Sequence, residues 1–463
     1  VGSIISTAST RRGFLAAGAG ALAALTEARA ARRRPNFVIL FADDMGYGDL
    51  ACYGHPNIRT PNLDRMAAEG ARFTSFYAAA PVCTPSRVGI LTGRYPARAG
   101  LPNNLGPNSK GGLPLSEILL PQLLKPLGYK TMAIGKWHIG HNPKEYLPTA
   151  RGFDHFLGLP YSNDMIPPWV KTDAPLRLIR DGEPVETVTD QSGLTELYTR
   201  EALSFIRSAG SNPFFLYLPY SMPHLPVSTG ARFRGRSRAG LYGDVIETID
   251  WSVGEILALL KKQGVDGDTM VLFASDNGPW HNLPKRMLQK GVEPWHTGVK
   301  GLLRGAKGTT YEGGPRVPGI FRWPGVVAPR QTISDMASTL DVLPTIAAAA
   351  GAKLPTDRVY DGFDLMGVLR GQAKSPRTTY HYYRGAVLEA IREGSWKFRY
   401  ARQPVSEDEA KAAEAIPPRP ELYNLDYDPA EQYDVYERHR EIGDRLREKM
   451  RAFAAELKTK TLL

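Results

Sequence analysis

Pro35-Asn36-Phe37-Val38-Ile39-Leu40-Phe41-Ala42-Asp43-Asp44 is an unbroken apolar run that ends in two carboxylates. A strand with one wet face would alternate; this one does not, so it belongs in a sheet covered on both faces. The pattern returns three times. Residues 130–135 lead to Lys136, Trp137 and His138, residues 214–218 to His224, and residues 269–274 to Ser275-Asp276-Asn277-Gly278. Helical patterns lie between them. Thr60-Pro61 offers a hydroxyl N-cap and a proline at N1 ahead of Leu63, Met66, Ala67 and Gly70. Residues 115–127 are a second candidate, broken or bent by Pro121 and Pro126, and residues 196–206 a third. Ile246, Ile249, Val253, Ile256, Leu257 and Leu260 mark an amphipathic helix. Strands alternating with helices predict an α/β fold, a large mostly parallel sheet sandwiched by helices. In such folds the ligand site lies beyond the C-terminal ends of the strands. All four strands deliver polar side chains there.

Beyond about residue 375 the texture changes. Short runs at 381–383, 387–391, 396–400 and 421–425 alternate with turns, and a charged helix over roughly 436–457 follows. These predict a small antiparallel sheet plus a helix. The expected division is a catalytic α/β domain over 31–375 and an α+β subdomain over 376–463. Residues 1–30 are excluded as a targeting segment. Ser9-Thr10-Arg11-Arg12-Gly13-Phe14-Leu15 is a twin-arginine pattern, an Ala/Gly/Leu-rich stretch follows, and Ala28-Arg29-Ala30 offers a cleavage site. The stretch is too short and too rich in alanine for a membrane span of roughly 20 residues. The expectation is a periplasmic or secreted bacterial protein, carried out folded by the twin-arginine machinery.

The chain of 463 residues is 42% hydrophobic, enough for a large core. Its net charge of +11 favours anionic partners. The basic residues are scattered, even counting the run from Arg232 to Arg238, and no nucleic-acid-binding motif accompanies them. Nucleic acid is therefore not an expected partner. There are two cysteines, Cys52 and Cys83; a disulfide is open to an exported protein, but the setting of Cys83 points elsewhere.

Asp43, Asp44, Asp276 and Asn277 offer oxygen donors and neither imidazole nor thiolate. That set suits a hard cation, Ca²⁺ ahead of Mg²⁺. Either pair alone would be an ordinary turn; together at strand ends they argue for metal. Cys83-Thr84-Pro85-Ser86-Arg87, with Leu91-Thr92-Gly93-Arg94 downstream, resembles the signature of type I sulfatases, a family of the alkaline phosphatase superfamily. The resemblance runs along most of the chain. Asp43 to Asp49 is similar to that family's first metal-binding segment, Gly135-Lys136-Trp137-His138 to its G-K-W-H element, and Pro223-His224 to its P-H pair. Ser275-Asp276-Asn277-Gly278, the block from Lys307 to Gly314, Gly394-Ser395-Trp396-Lys397-Phe398 and Leu422-Tyr423-Asn424-Leu425 resemble further blocks in family order.

The resemblance implies an alkaline-phosphatase-like fold and hydrolysis of aryl or carbohydrate sulfate esters. It implies that a separate formylglycine-generating enzyme oxidises Cys83 to Cα-formylglycine, which then also faces the metal. One hydroxyl of the hydrated aldehyde would attack sulfur; the other would expel sulfate from the sulfo-enzyme. Arg87 would hold the hydrate and Lys136 support the nucleophile. His138 would take the proton on elimination, while His224 and Lys307 contact the sulfate and protonate the leaving oxygen. His141, His155 and His296 match no block. Two other readings stand beside this one: a phosphonate monoester or phosphodiester hydrolase on the same formylglycine site, and an inactive glycan- or anion-binding protein.

Overall fold

The computed structural model describes residues 34–281, 283–401 and 417–463; the targeting segment expected at 1–30 lies outside them. The first half supplies β1 (Asn36–Ala42), α1 (Pro61–Ala68), β2 (Ala71–Tyr77), α2 (Cys83–Thr92), α3 (Leu120–Leu124), β3 (Lys130–Ile134) and β4 (His155–Gly158). A hairpin of β5 (Arg177–Arg180) and β6 (Glu183–Thr187) follows, then α4 (Leu194–Ala209), β7 (Phe214–Pro219), α5 (Gly240–Lys262) and β8 (Thr269–Ser275). Next come β9 (Arg316–Arg322), β10 (Gln331–Ile333), β11 (Ala337–Ser338) and α6 (Val342–Ala350). The main sheet runs β10-β2-β9-β8-β1-β7-β3-β4-β5-β6, with β11 also on β2. Its five central strands, β8, β1, β7, β3 and β4, are parallel. The four strands singled out from the sequence are thus consecutive neighbours.

The continuous apolar run of β1 is explained by its two faces. Val38, Leu40 and Ala42 join a core with Ile246, Ile249, Val253 and Ile256 of α5. Phe37, Ile39 and Phe41 face a second core with Val88 and Leu91 of α2 and Leu343 and Ile346 of α6. Each fully buried side chain of this kind is worth about 1.5–3 kcal/mol of transfer free energy. The helix anticipated over 115–127 is cut to α3 and a 3₁₀ turn by its prolines. Thr60 does not cap α1 as expected. Its hydroxyl accepts from the Ala51 N–H and donates to Asp64, while the N–H groups of Asn62 and Leu63 donate to Asp250 of α5, at 3.0 and 2.8 Å. A carboxylate at a helix N-terminus also meets the positive end of the macrodipole, and it ties α1 to α5.

The smaller sheet contains β12 (Thr379–Arg384), β13 (Val387–Glu393), β14 (Trp396–Ala401) and β15 (Arg419–Asn424), paired antiparallel in that order. Its β16 (Lys460–Thr461) runs parallel to β13, after the helix α7 (Arg440–Leu457). The fold is the expected α/β core beside a small sheet and helix. It packs on the end of β2, where Tyr77 stacks on Tyr380 with ring centroids 4.6 Å apart.

Candidate active site

Register builds the acidic half of the site. Ala42 of β1 lies opposite Ser275 of β8, so Asp43 and Asp276 leave the sheet as neighbours. Asp44 turns left-handed, φ 63°; its N–H donates to Asp276 Oδ1 at 3.0 Å, and Asn277 Nδ2 donates to Asp44 Oδ1 at 2.7 Å. Such backbone strain, of order 1–3 kcal/mol, persists where its surroundings enforce it and clusters at functional sites. All four side chains are buried.

β3 and β7 bring the basic half. Had the strand read over 130–135 simply run on, Lys136 and His138 would alternate onto one face. Instead β3 stops at Ile134 and the chain turns, with Gly135 at φ 120° and His138 at φ 59°. Only glycine fits at 135: a Cβ there would lie 1.9 Å from the Pro219 carbonyl oxygen of β7. The turn sends Lys136 Nζ to Asp43 Oδ2 at 2.6 Å and Ser162 Oγ at 3.1 Å. Burial alone would lower the Lys136 ammonium, but Asp43 carries it above its ordinary value. Lys307 donates to Asp44 Oδ2 at 2.8 Å and rests 4.7 Å from the centre of the Trp280 ring.

The two histidines differ in which nitrogen is free. His138 Nε2 meets the Leu105 carbonyl at 2.8 Å. A carbonyl only accepts, so Nε2 holds the proton and Nδ1, buried with no partner, keeps its lone pair. Burial, reinforced by Lys136, pushes His138 well below its ordinary range, so it is a neutral imidazole at physiological pH. In His224 it is Nδ1 that donates, to Leu225 O at 2.6 Å. Its Nε2 lies 3.5 Å from both Asp44 Oδ2 and Ser162 Oγ.

Cys83 is the first residue of α2, 2% exposed, with Sγ 3.6 Å from Asp43 Oδ1 and 3.9 Å from Asp44 Oδ1. Burial pushes its thiol far up despite the pull of Lys136 and Lys307, so it stays S–H. One turn along, Arg87 donates to Lys136 O and to Asp276 Oδ2, each at 2.7 Å, and lies 3.3 Å from Asp43 Oδ2. Cys83 and Arg87, four residues apart on α2, share a helix face.

The residues fit a hard cation. Donor atoms of Asp43, Asp44, Cys83 and His224 lie within 4.8 Å of one another. Asn277 Oδ1 is a buried acceptor with no hydrogen-bond partner. Burial, and then the charge of Asp43, push the Asp276 carboxyl above its usual range. His224 enters the tightest group; Asp276 and Asn277 join it through hydrogen bonds to Asp44. His141 is held by Pro107 O, His155 by Asp181, and His296 Nδ1 accepts from the Glu293 N–H. Sequence reasoning passed over Ser162, the Leu105 carbonyl and Trp280. Ser162 had a signal: the apolar run Phe156-Leu157-Gly158-Leu159, largely within β4, the fifth parallel strand, leads through Pro160 and Tyr161 to Ser162.

Comparison with known proteins agrees with this geometry. Residues 35–352 match the sulfatase family model, and residues 375–462 match the C-terminal region of aryl-sulfatase. Arylsulfatase A of Homo sapiens is 40% identical over 446 residues, 89% of this chain and 86% of the relative. N-acetylgalactosamine-6-sulfatase of Rattus norvegicus is 42% identical over 395 residues, 80% of this chain and 72% of the relative. The crystal structure of a sulfatase from Pseudoalteromonas sp. superposes with a TM-score of 0.81 at 29% identity, covering 94% of this chain and 92% of its own. Among the described residues no helix is long and apolar enough to cross a membrane. The chain belongs to the sulfatase family, hydrolases of sulfuric esters.

Proposed function

We propose that the protein cleaves an aryl or carbohydrate sulfate ester at residue 83, after a maturation enzyme converts Cys83 to Cα-formylglycine. Asp43, Asp44, Asp276 and Asn277 hold Ca²⁺ beside it. One observation carries this reading. The side chain at the centre of the site is a buried thiol 3.6 Å from Asp43 Oδ1 and 3.9 Å from Asp44 Oδ1, ringed by Arg87, Lys136 and Lys307, so cations and candidate metal ligands converge on residue 83. The modified residue and the cation supply geminal hydroxyls and a polarised ester oxygen.

The other side chains follow from their hydrogen bonds. Arg87, locked by Lys136 O and Asp276, orients whatever stands at residue 83. Lys136 and Lys307 offset the charge of the sulfate in a water-poor pocket, where such interactions are strongest. The unpartnered Nδ1 of neutral His138 takes a proton, and His224, after gaining a proton at Nε2, gives that proton to the leaving oxygen. The names of the relatives support aryl and amino-sugar sulfates as the substrate class. Export to the periplasm or beyond is proposed on the twin-arginine pattern, and division into 31–375 and 376–463 on the change of texture near 375.

Mass spectrometry of the peptide containing Cys83, from protein co-expressed with a maturation enzyme, should show a loss of about 18 Da, fixed by the covalent change. The same protein should hydrolyse 4-nitrophenyl sulfate faster than a phenylphosphonate ester. Full activity with an intact thiol would refute the mechanism, and the reverse rate order would reassign the substrate.

A further inference from the structure

The loop over residues 43–49 carries Asp43 and Asp44, and its backbone can be followed one amide at a time. The Asp43 N–H donates to Met222 O at 3.2 Å and the Asp44 N–H to Asp276 Oδ1 at 3.0 Å. The Met45 N–H donates to Ser275 Oγ at 3.0 Å. Beyond Met45 a single side chain takes over. The Gly46 N–H and the hydroxyl of Tyr242 on α5 both donate to Asp49 Oδ2, each at 2.6 Å, and the Val299 N–H donates to Asp49 Oδ1 at 2.5 Å. The Gly48 N–H returns to Val299 O at 2.7 Å.

Asp49 is fully buried, and no cation pairs with it among the described residues. Burial lifts its carboxyl to about 7, against the pull of Tyr242, Val299 and Gly46. A buried carboxylate without a counter-ion is costly, and it persists where its oxygens are bonded. The surroundings are shaped to it: a Cβ at Gly298 would lie 2.3 Å from Asp49 Oδ2 and 2.5 Å from the Tyr242 hydroxyl. Two stretches of chain meet at this carboxylate. One is the left-handed turn at Asp44, two residues before Gly46. The other runs from Val299 to Lys307, which donates to Asp44 Oδ2. Both lead back to Asp44.

We infer that Asp49 is a positioning residue for the metal site: by bonding Gly46 and Val299 it locks the loop behind Asp44 and so sets how tightly the cation is held. It is itself no ligand. The inference rests on the metal-dependent reading above and adds to it the support on which the Asp44 ligand depends.

The test begins with Asp49→Asn, which keeps the shape but turns one oxygen into a donor. Whichever way the amide lies, either Gly46 or Val299 loses its acceptor. Calorimetric titration of chelator-treated protein with Ca²⁺ should give a Kd roughly 10–100-fold weaker than wild type, the usual cost of losing a support behind a metal ligand. At saturating Ca²⁺ the variant, matured at residue 83, should regain a kcat close to wild type on 4-nitrophenyl sulfate. Tyr242→Phe removes the helix's donor and leaves both amides bonded; it should lower the thermal midpoint and leave the Ca²⁺ Kd near wild type. Should Asp49→Asn fail to fold, Gly298→Ala pushes on the same carboxylate from the other side and should weaken Ca²⁺ binding in the same range. An unchanged Kd in these two variants, an equal rise in Tyr242→Phe, or activity that Ca²⁺ does not restore overturns the inference. Wild-type protein that takes up no Ca²⁺ would strike the metal reading itself, and the inference with it.

Discussion

Two clusters of buried charge sit at opposite ends of one loop, and they are built to different rules. At the proposed site Asp43, Asp44 and Asp276 face Arg87, Lys136 and Lys307. The signs balance, yet polar atoms are left over: Asn277 Oδ1, His138 Nδ1, Arg87 Nε and Ser86 Oγ are buried with no partner. At the junction with the smaller sheet, Glu312 has both oxygens taken. Tyr382 and Lys397 donate to Oε1 at 2.7 and 3.0 Å, and Tyr77 to Oε2 at 2.5 Å. Lys397 also pairs with Glu431 Oε1 at 2.8 Å, an ion pair that is not matched by a hydrogen bond to that oxygen, and Glu431 Oε2 accepts the Glu312 N–H. Burial would raise the Glu312 carboxyl, but Lys397, Arg316 and Arg392 bring it down to about 2. Satisfied networks hold a structure together; orphaned atoms in a buried site are groups reserved for something else.

The contrast can be broken first at residue 83. Cys83→Ala should reduce turnover of 4-nitrophenyl sulfate roughly 10⁴-fold or more, as loss of a nucleophile does, while the thermal midpoint stays near wild type. Retained turnover would remove the site from the comparison. The opposite profile is expected at the junction. Lys397→Met leaves two buried carboxylates without their shared cation, and urea unfolding should show a loss of about 3–5 kcal/mol. A loss below 1 kcal/mol would mean that the junction charges are dispensable.

Metal removal sharpens the contrast. Adding Ca²⁺ to chelator-treated wild type should raise the thermal midpoint, by about 2.7 kcal/mol of stability at a hundredfold excess over Kd. Asp276→Asn should gain little stability from Ca²⁺. A variant that still responds fully to Ca²⁺ would take Asp276 out of the ion's surroundings. The smallest effect is one of pH. Glu312 has a folded value of about 2 against 4.5 ordinarily, so its contribution is complete above about pH 4.5 and fades as pH falls toward 2. Glu312→Gln should flatten that acid limb of the stability curve, and an unchanged limb would show that other carboxylates set it.

Much of this was legible because the α/β core announces itself. A short unbroken apolar run that alternates with helices fits a doubly covered strand, and such strands deliver their functional groups at one end. Asp43, Lys136, His224 and Asp276 were singled out by that rule, and Cys83, Arg87 and Lys307 by their motifs; the structure brings them together. What escaped was geometry made by partners distant in sequence. Asp250 caps α1 from 188 residues away, displacing Thr60, and no local pattern encodes that. The left-handed turn at His138 depends on the closeness of β3 and β7, so reading 136–138 as a strand end missed it. Ser162 went unnoticed because β4 is only four residues long.

The Glu312 grip has a consequence for how the protein comes into being. Lys307 reaches the site from a segment whose other end, five residues on, is clasped by Tyr382 and Lys397. A polypeptide cut short near residue 375 would own every reactive group yet leave that clasp without its far side. The position of Lys307 is therefore fixed from both sides only once the tail has been made and has folded against Glu312.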